Sequence, residues 1–333
     1  MWIRLVLGML LVSAAVFSAD WNPKLAAQYL DGRQQEWFAW PQAMSADGPC
    51  VSCHTGMPYL LARPALRRVL GEKQPTPYET GLLDRLRAKA GAKPPGALQG
   101  VESVFAALFL ALQDAGAAST QRAFDQLWAL QVREGRLKGA WPWYSANLDP
   151  WETPPSLFYG TALAALAIGT APDEYHRKPE VQEPLRAMEE YLQSGLQDHP
   201  LHSRLALLWA STKLSAILPD AARQSLIDEI MRKQQIDGGW SLESLGPWTA
   251  HPDAPVSTGS NSYATAFTTY VLQQAGVASP RALEWLKTRQ DRQSGAWPAV
   301  SMNKRYPVGS MEEKFLQDAA TAFAALALIE AGQ

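Results

Sequence analysis

The chain has 333 residues, of which 47% are hydrophobic and 19% charged, with 13 tryptophans and a formal net charge of −2. That balance supports a sizeable core and excludes wholesale disorder. A charge so near neutral gives no electrostatic reason to expect nucleic acid or an anionic membrane surface as a partner.

The chain begins MWIR-LVLGMLLVSAAVF-SAD. One basic residue, Arg4, precedes an apolar run from Leu5 to Phe17 and the small residues Ser18 and Ala19. This is the layout of a secretory signal peptide, and the run is short for a transmembrane helix. Residues 1–19 are therefore expected to be a signal segment. The protein is expected to be periplasmic or secreted from a bacterium, anchored at its N-terminus if the segment stays uncleaved, with no other integral membrane domain.

Residues 20–98 form a second expected unit, and 99–333 a third. In the second, residues 21–40 suit an amphipathic outer helix, GPCVSCHTG (48–56) suits a loop, and 54–70 with 77–91 suit a helical pair in which Pro64 kinks or interrupts the first member. The third unit is a repeat. Ala- and Leu-rich stretches, apolar almost all round, recur at 101–116, 156–169, 203–218, 261–276 and 318–332. Amphipathic stretches at 120–134, 180–194, 220–235 and 280–290 separate them. No stretch alternates like a strand. The expected fold is all-α, with six inner and five or six outer helices in an (α/α)6 toroid; an open solenoid has the same local pattern.

Short motifs follow the outer helices in phase with the repeat. They are Gln234-Gln-Ile-Asp-Gly238-Gly-Trp240, Gln290 to Gly295-Ala-Trp297 with one extra residue, and Gln131 to Gly139-Ala-Trp141 with an insertion; a fourth, near Gln193, has decayed. These resemble the QW motifs of squalene–hopene cyclases and the wider terpenoid-cyclase and prenyltransferase toroids, in which the glutamine ends an outer helix and the tryptophan stacks beneath the next. The resemblance covers residues 100–333 and implies the toroid. It does not carry the chemistry across. The acid motif of the class II cyclases, D-x-D-D-T-A, aligns with Gln317-Asp318-Ala319-Ala320-Thr321-Ala322, placing Ala319 where the family has its proton donor. The cysteine, histidine and aspartate zinc set of the prenyltransferases has no counterpart, because both cysteines lie in one N-terminal motif. The stretches 139–167 and 315–328, with the upstream CVSCH, also resemble exported bacterial proteins described only as squalene-cyclase-like.

Cys50-x-x-Cys53-His54 is the attachment pattern of a c-type haem. Two thiols so spaced reach one porphyrin edge as thioethers, and the adjacent imidazole becomes the proximal iron ligand. The residue types leave other readings open: a small strained disulfide, a thioredoxin-like dithiol, for which no βαβ pattern exists, or a zinc site, for which no second Cys/His cluster exists. Met57, three residues after His54, is too close to reach around the ring; Met44, Met302, Met311, His199, His202 and His251 are available as a distal ligand, and nothing in the pattern selects one.

Three long loops, 139–156, 238–261 and 295–318, occupy the same phase of the repeat and are expected at one end of the bundle. They bring Trp143, Trp151, Glu152, Lys304, Arg305 and Asp318 towards a ligand pocket. Trp141, Trp240 and Trp297 read as packing residues of the seams. Capping of an inner helix is the simpler role for Asp318, a solvated loop the simpler setting for Lys304 and Arg305, and a core position the simpler one for His202. The expected function is electron transfer or haem-assisted redox chemistry, with a redox partner protein. The alternative is a haem-free toroid that binds or processes a small apolar isoprenoid or a glycan.

Overall fold

The computed structural model describes residues 21–45, 48–91, 96 and 98–332, and the expectation for residues 1–19 lies outside them. The fold is all-α, with twelve α-helices among the described residues: α1 Pro23–Ala39, α2 Gly56–Val69, α3 Pro77–Lys89, α4 Gln99–Gln113, α5 Ala118–Leu130, α6 Ser156–Thr170, α7 Gln182–Ser194, α8 Leu201–Ser211, α9 Asp220–Arg232, α10 Ser262–Gln274, α11 Pro280–Lys287 and α12 Phe315–Glu330. The only strands among the described residues are Met44–Ser45 and Gly48–Pro49, an antiparallel pair just ahead of the cysteine motif. Among them, too, no helix is long and apolar enough to cross a membrane.

The even-numbered helices form the inner layer. α4, α6, α8, α10 and α12 are buried along nearly their whole length, since alanine and leucine on every face leave no polar side to turn to water. The odd-numbered helices lie outside and bury one stripe each. Inner neighbours touch in order from α4 to α6, α8, α10 and α12, and α12 packs on α2. α3 touches both α2 and α4, so the contacts run in a closed circle to which the 20–98 segment supplies three helices.

Three repeated knots stitch inner to outer helices. Gln131, Gln234 and Gln290 each donate from Nε2 to the carbonyl of the motif glycine, at 3.1, 2.8 and 2.9 Å. Trp141, Trp240 and Trp297, all at 0% exposure, donate their indole N–H to Leu127, Ile230 and Leu286 near the end of the preceding outer helix. Their backbone N–H groups are taken by Thr161, Thr265 and Thr321 of the following inner helix. The glycines have positive φ and lie against the backbone of the next outer helix; a Cβ on Gly139 would fall 2.0 Å from the Ala187 oxygen. In the third knot that next helix is α1. Gln290 donates to the Asn22 carbonyl and accepts from the Asn22 N–H, and a Cβ on Gly295 would strike Leu25. The last repeat thus docks on the first helix by the same device that joins interior repeats.

Two expectations are corrected. Pro64 does not interrupt its helix, for α2 runs through it. A proline orphans the carbonyl four residues back, and Gln113 of α4 donates to that carbonyl, Leu60, at 3.2 Å. The inner helix expected over 203–218 ends at Ser211. There the hydroxyls of Ser211 and Thr212 bond back to Leu208 and Trp209 and close the last turn.

Candidate functional site

The CVSCH motif caps α2 and is held by α1. Ser52 Oγ accepts from the N–H groups of Thr55 and Gly56, so it caps the first turn of α2. Gln34 donates to the Thr55 carbonyl at 2.9 Å and Trp37 to the Cys50 carbonyl at 2.8 Å. Arg85 bonds the Gly48 carbonyl and pairs with Glu102. The motif is a fixed corner of the core rather than a free loop.

Cys50 and Cys53 are free thiols. Burial pushes the Cys50 thiol up to about 11, and the same cause raises the thiol of Cys53, only 3% exposed, well above its ordinary value. A catalytic dithiol needs a thiolate near neutrality, so this environment disfavours thioredoxin-like exchange. Among the described residues no group of three or more His, Cys, Asp or Glu is placed to hold a metal ion.

His54 is buried, stacked on Phe315 with ring centroids 3.6 Å apart and met edge-on by Trp37. Its Nδ1 lies 2.9 Å from Thr55 Oγ1. That hydroxyl gives its one proton to Asp318 Oδ2 at 2.8 Å, so it accepts from Nδ1–H and fixes the tautomer. Nε2 is left bare, and no hydrogen-bonding partner meets it among the described residues. Burial lowers the His54 pKa to about 3, and Arg33 adds to the effect.

Asp318 anchors this relay. It is 1% exposed and also accepts from Arg33 Nε and the Tyr29 hydroxyl, each at 2.8 Å. Burial raises its carboxyl, while Arg33, Tyr29 and Thr55 pull it back. Arg33 in turn reaches Glu36 and the Met311 carbonyl and sulfur. Asp318 therefore does not cap its helix, and it is not among the residues that line the two clefts beside His54. It sits inside α12, behind His54.

Two clefts meet at His54 and Glu152. The first, about 160 Å³, carries Cys50, Cys53, Trp37, Val101 and Tyr144 on its walls. The second, about 40 Å³, carries Trp151, Met302, Tyr306 and Phe315. Burial alone raises the Glu152 carboxyl to about 7, and paired backbone bonds with Leu148 hold its position. Trp143 donates to the Trp151 carbonyl at 2.8 Å and lies over Gly160, where a Cβ would meet its ring at 2.1 Å. Lys304 and Arg305 are exposed and line neither cleft; Lys304 stands 4.8 Å over the Tyr306 ring.

The three long loops do meet, and Asp149 joins them. It exchanges two backbone-to-amide bonds with Asn303, and its carboxylate accepts from the Thr249 N–H. His251 Nε2 stands 3.4 Å from the same carboxylate oxygen, poised for attraction once protonated. Asp149 and Asn303 carried no motif; only their shared loop phase pointed to them.

Met302 shares a cleft with His54. Met57 is buried in α2, Met311 holds Arg33, His199 stacks on Phe158, and His202 bonds Tyr263. The middle of the helical circle is filled: Tyr159, His202, Tyr263, Phe267 and Phe323 are all at 0 or 1% exposure. No family model matches this chain, and no curated protein sequence matches it significantly.

Proposed function

We propose that this chain is an exported c-type haem protein built on a closed (α/α)6 toroid, serving electron transfer or redox chemistry on a small ligand. The observation that carries the reading is the corner itself. Cys50, Cys53 and His54 stand in attachment order on the wall of one cleft, and the relay to Thr55 and Asp318 leaves His54 Nε2 bare for a metal. The donor set fits: two protonated thiols for the thioethers and one neutral imidazole, on the wall of a mostly apolar cleft. Haem held there would supply a one-electron couple at its iron. The chain would bind the group through Cys50 and Cys53, orient His54 through Thr55 and Asp318, and keep a carboxyl that titrates near pH 7, Glu152, on the walls of both clefts. The toroid reading is supported by the repeated knots and by the docking of Gln290 on Asn22.

The haem-free reading, an apolar isoprenoid or glycan held in the toroid, has less support, because aromatic side chains occupy the centre where a deep cavity would lie. The discriminating experiment is a visible spectrum of protein exported from a host with the cytochrome c maturation machinery. The expected result is a c-type reduced spectrum that Cys50→Ala/Cys53→Ala abolishes. A colourless wild-type protein from that host contradicts the proposal.

A further inference from the structure

A groove of about 730 Å³ runs between the segment that leads into α10, the end of α11 and the start of α12. It is larger than both His54 clefts and shares no wall residue with either. Beyond Trp285 and Arg289 it continues into a further space of about 490 Å³ beside Arg281 and Glu284. Its shape is therefore elongated.

Three polar groups on its wall have hydrogen-bonding capacity that the fold does not use. Ser262 is 5% exposed, and its hydroxyl meets no hydrogen-bonding partner among the described residues. Asn261, 7% exposed, spends its side-chain oxygen on the N–H groups of Tyr263 and Ala264. That caps α10 and leaves the amide N–H pair of Asn261 over. Gln317 donates to the Tyr29 hydroxyl and keeps its side-chain oxygen. Capping accounts for one atom of this set, and side chains so buried are ordinarily satisfied. The spare groups face the groove.

The remaining walls define what they can meet. Asp237 accepts from Gly239, Ser260 and the Trp285 indole, and Asp291 from the N–H groups of Gln293 and Ser294. Each carboxylate is held in place by the fold and repels an anion. Arg289, with its guanidinium 5.0 Å over the Trp285 ring, repels a cation. Pro298, Ala299 and Val300 form an apolar ledge, of which Val300 is 49% exposed. Charges of both signs select a neutral ligand. Spare donors beside spare acceptors select hydroxyl groups, each of which donates and accepts at once. A sugar ring supplies these, and its C–H face covers an apolar ledge.

The geometry points to an oligosaccharide-binding groove: a neutral glycan of several units lies along α10 and α11, its hydroxyls met by Ser262, Asn261 and Gln317. The site is independent of the haem reading and stands whether or not the corner carries the group.

The test is a titration of the full chain, labelled with nitrogen-15, with three neutral tetrasaccharides: cellotetraose, maltotetraose and chitotetraose. At least one is expected to move the amide signals of Asn261, Ser262 and Gln317, with a dissociation constant of about 1 mM or tighter, and to leave His54 unmoved. Ser262→Ala, which keeps the Asn261 cap, should weaken that binding about tenfold, the scale of one lost hydrogen bond. Thermal melts establish that the variant is folded, and Gln317→Ala reads the same loss from α12 if it is not. Tetragalacturonate, which carries a carboxylate on every unit, should bind about tenfold more weakly than the best neutral chain. No shift at the groove from any of the three, binding undiminished in the folded variant, or tighter binding of tetragalacturonate overturns the proposal.

Discussion

The Gln–Gly–Trp knots and the His54 corner are both buried, polar and aromatic, yet they are built in opposite ways. In a knot, every indole and amide is satisfied by backbone a few residues away or on the adjoining helix, and the arrangement recurs three times with the same partners. In the corner, satisfaction comes from side chains that are remote in sequence: Thr55 and Asp318 are 263 residues apart, Arg33 and Asp318 285. A knot holds the fold together and can be copied. The corner is unique, includes a buried ion pair that a hydrophobic cluster could replace, and leaves one nitrogen bare. Repetition marks architecture here; the unrepeated cluster is where function is proposed.

Breaking a knot has the largest expected effect. Trp297→Ala removes a fully buried indole from the seam that joins the last repeat to α1, and a loss of about 3–5 kcal/mol is expected in urea unfolding. A loss below about 1 kcal/mol would mean the seam does not close the circle. Asp318→Ala leaves Arg33 buried without its partner and costs about 3–5 kcal/mol, by the same measurement. Thr55→Val is gentler, at about 1–3 kcal/mol. It is more telling for the corner, because it frees the His54 tautomer: the nitrogen-15 shifts of His54 move from a fixed Nδ1–H form to a mixture, while those of His202 stay put.

The pH response separates the clefts from the circle's centre. The folded chain holds the Glu152 proton up to about pH 7, where the unfolded chain releases it near the ordinary 4.5. The folded state binds more protons across that window, so this group's contribution to stability is full below it and falls as the pH rises through it. Glu152→Gln removes the loss, a relative gain of about 1–3 kcal/mol above pH 7, measured as the difference in melting between acidic and alkaline buffer. His54 and His202 act in the opposite sense. Their pKa values are lowered from 6.5 to about 3, so stability is lost as the pH falls through that range, in the variant as in the parent. The smallest effect is at Lys304: exposed, with only the Tyr306 ring beneath it, its change to alanine should alter unfolding by less than about 0.5 kcal/mol.

The same contrast explains what could be read in advance. The helical repeat and the knots were legible because their periodicity and their glutamine, glycine and tryptophan are local. The threonines that receive the tryptophan N–H groups were present too, in the recurring Thr-Ala of α6, α10 and α12, and Thr321-Ala322 was noticed only as a remnant of an acid motif. The closing bond of Gln290 to Asn22 was not legible, because its two ends lie 268 residues apart. Pro64 misled for the same reason: the amide that repairs its helix belongs to Gln113. Cys50, Cys53 and His54 were singled out by spacing alone. That Asp318 reaches His54 from behind, through Thr55, depends on helices α1, α2 and α12 meeting.

The most direct test of the central claim is the intact mass of the exported protein after acid–organic extraction, which strips any haem not covalently bound. The account predicts the mass of the processed chain plus one haem, with the addition mapped to a peptide containing Cys50 and Cys53. A mass two hydrogens below that of the reduced chain, with no haem, would mean a Cys50–Cys53 disulfide and would contradict it.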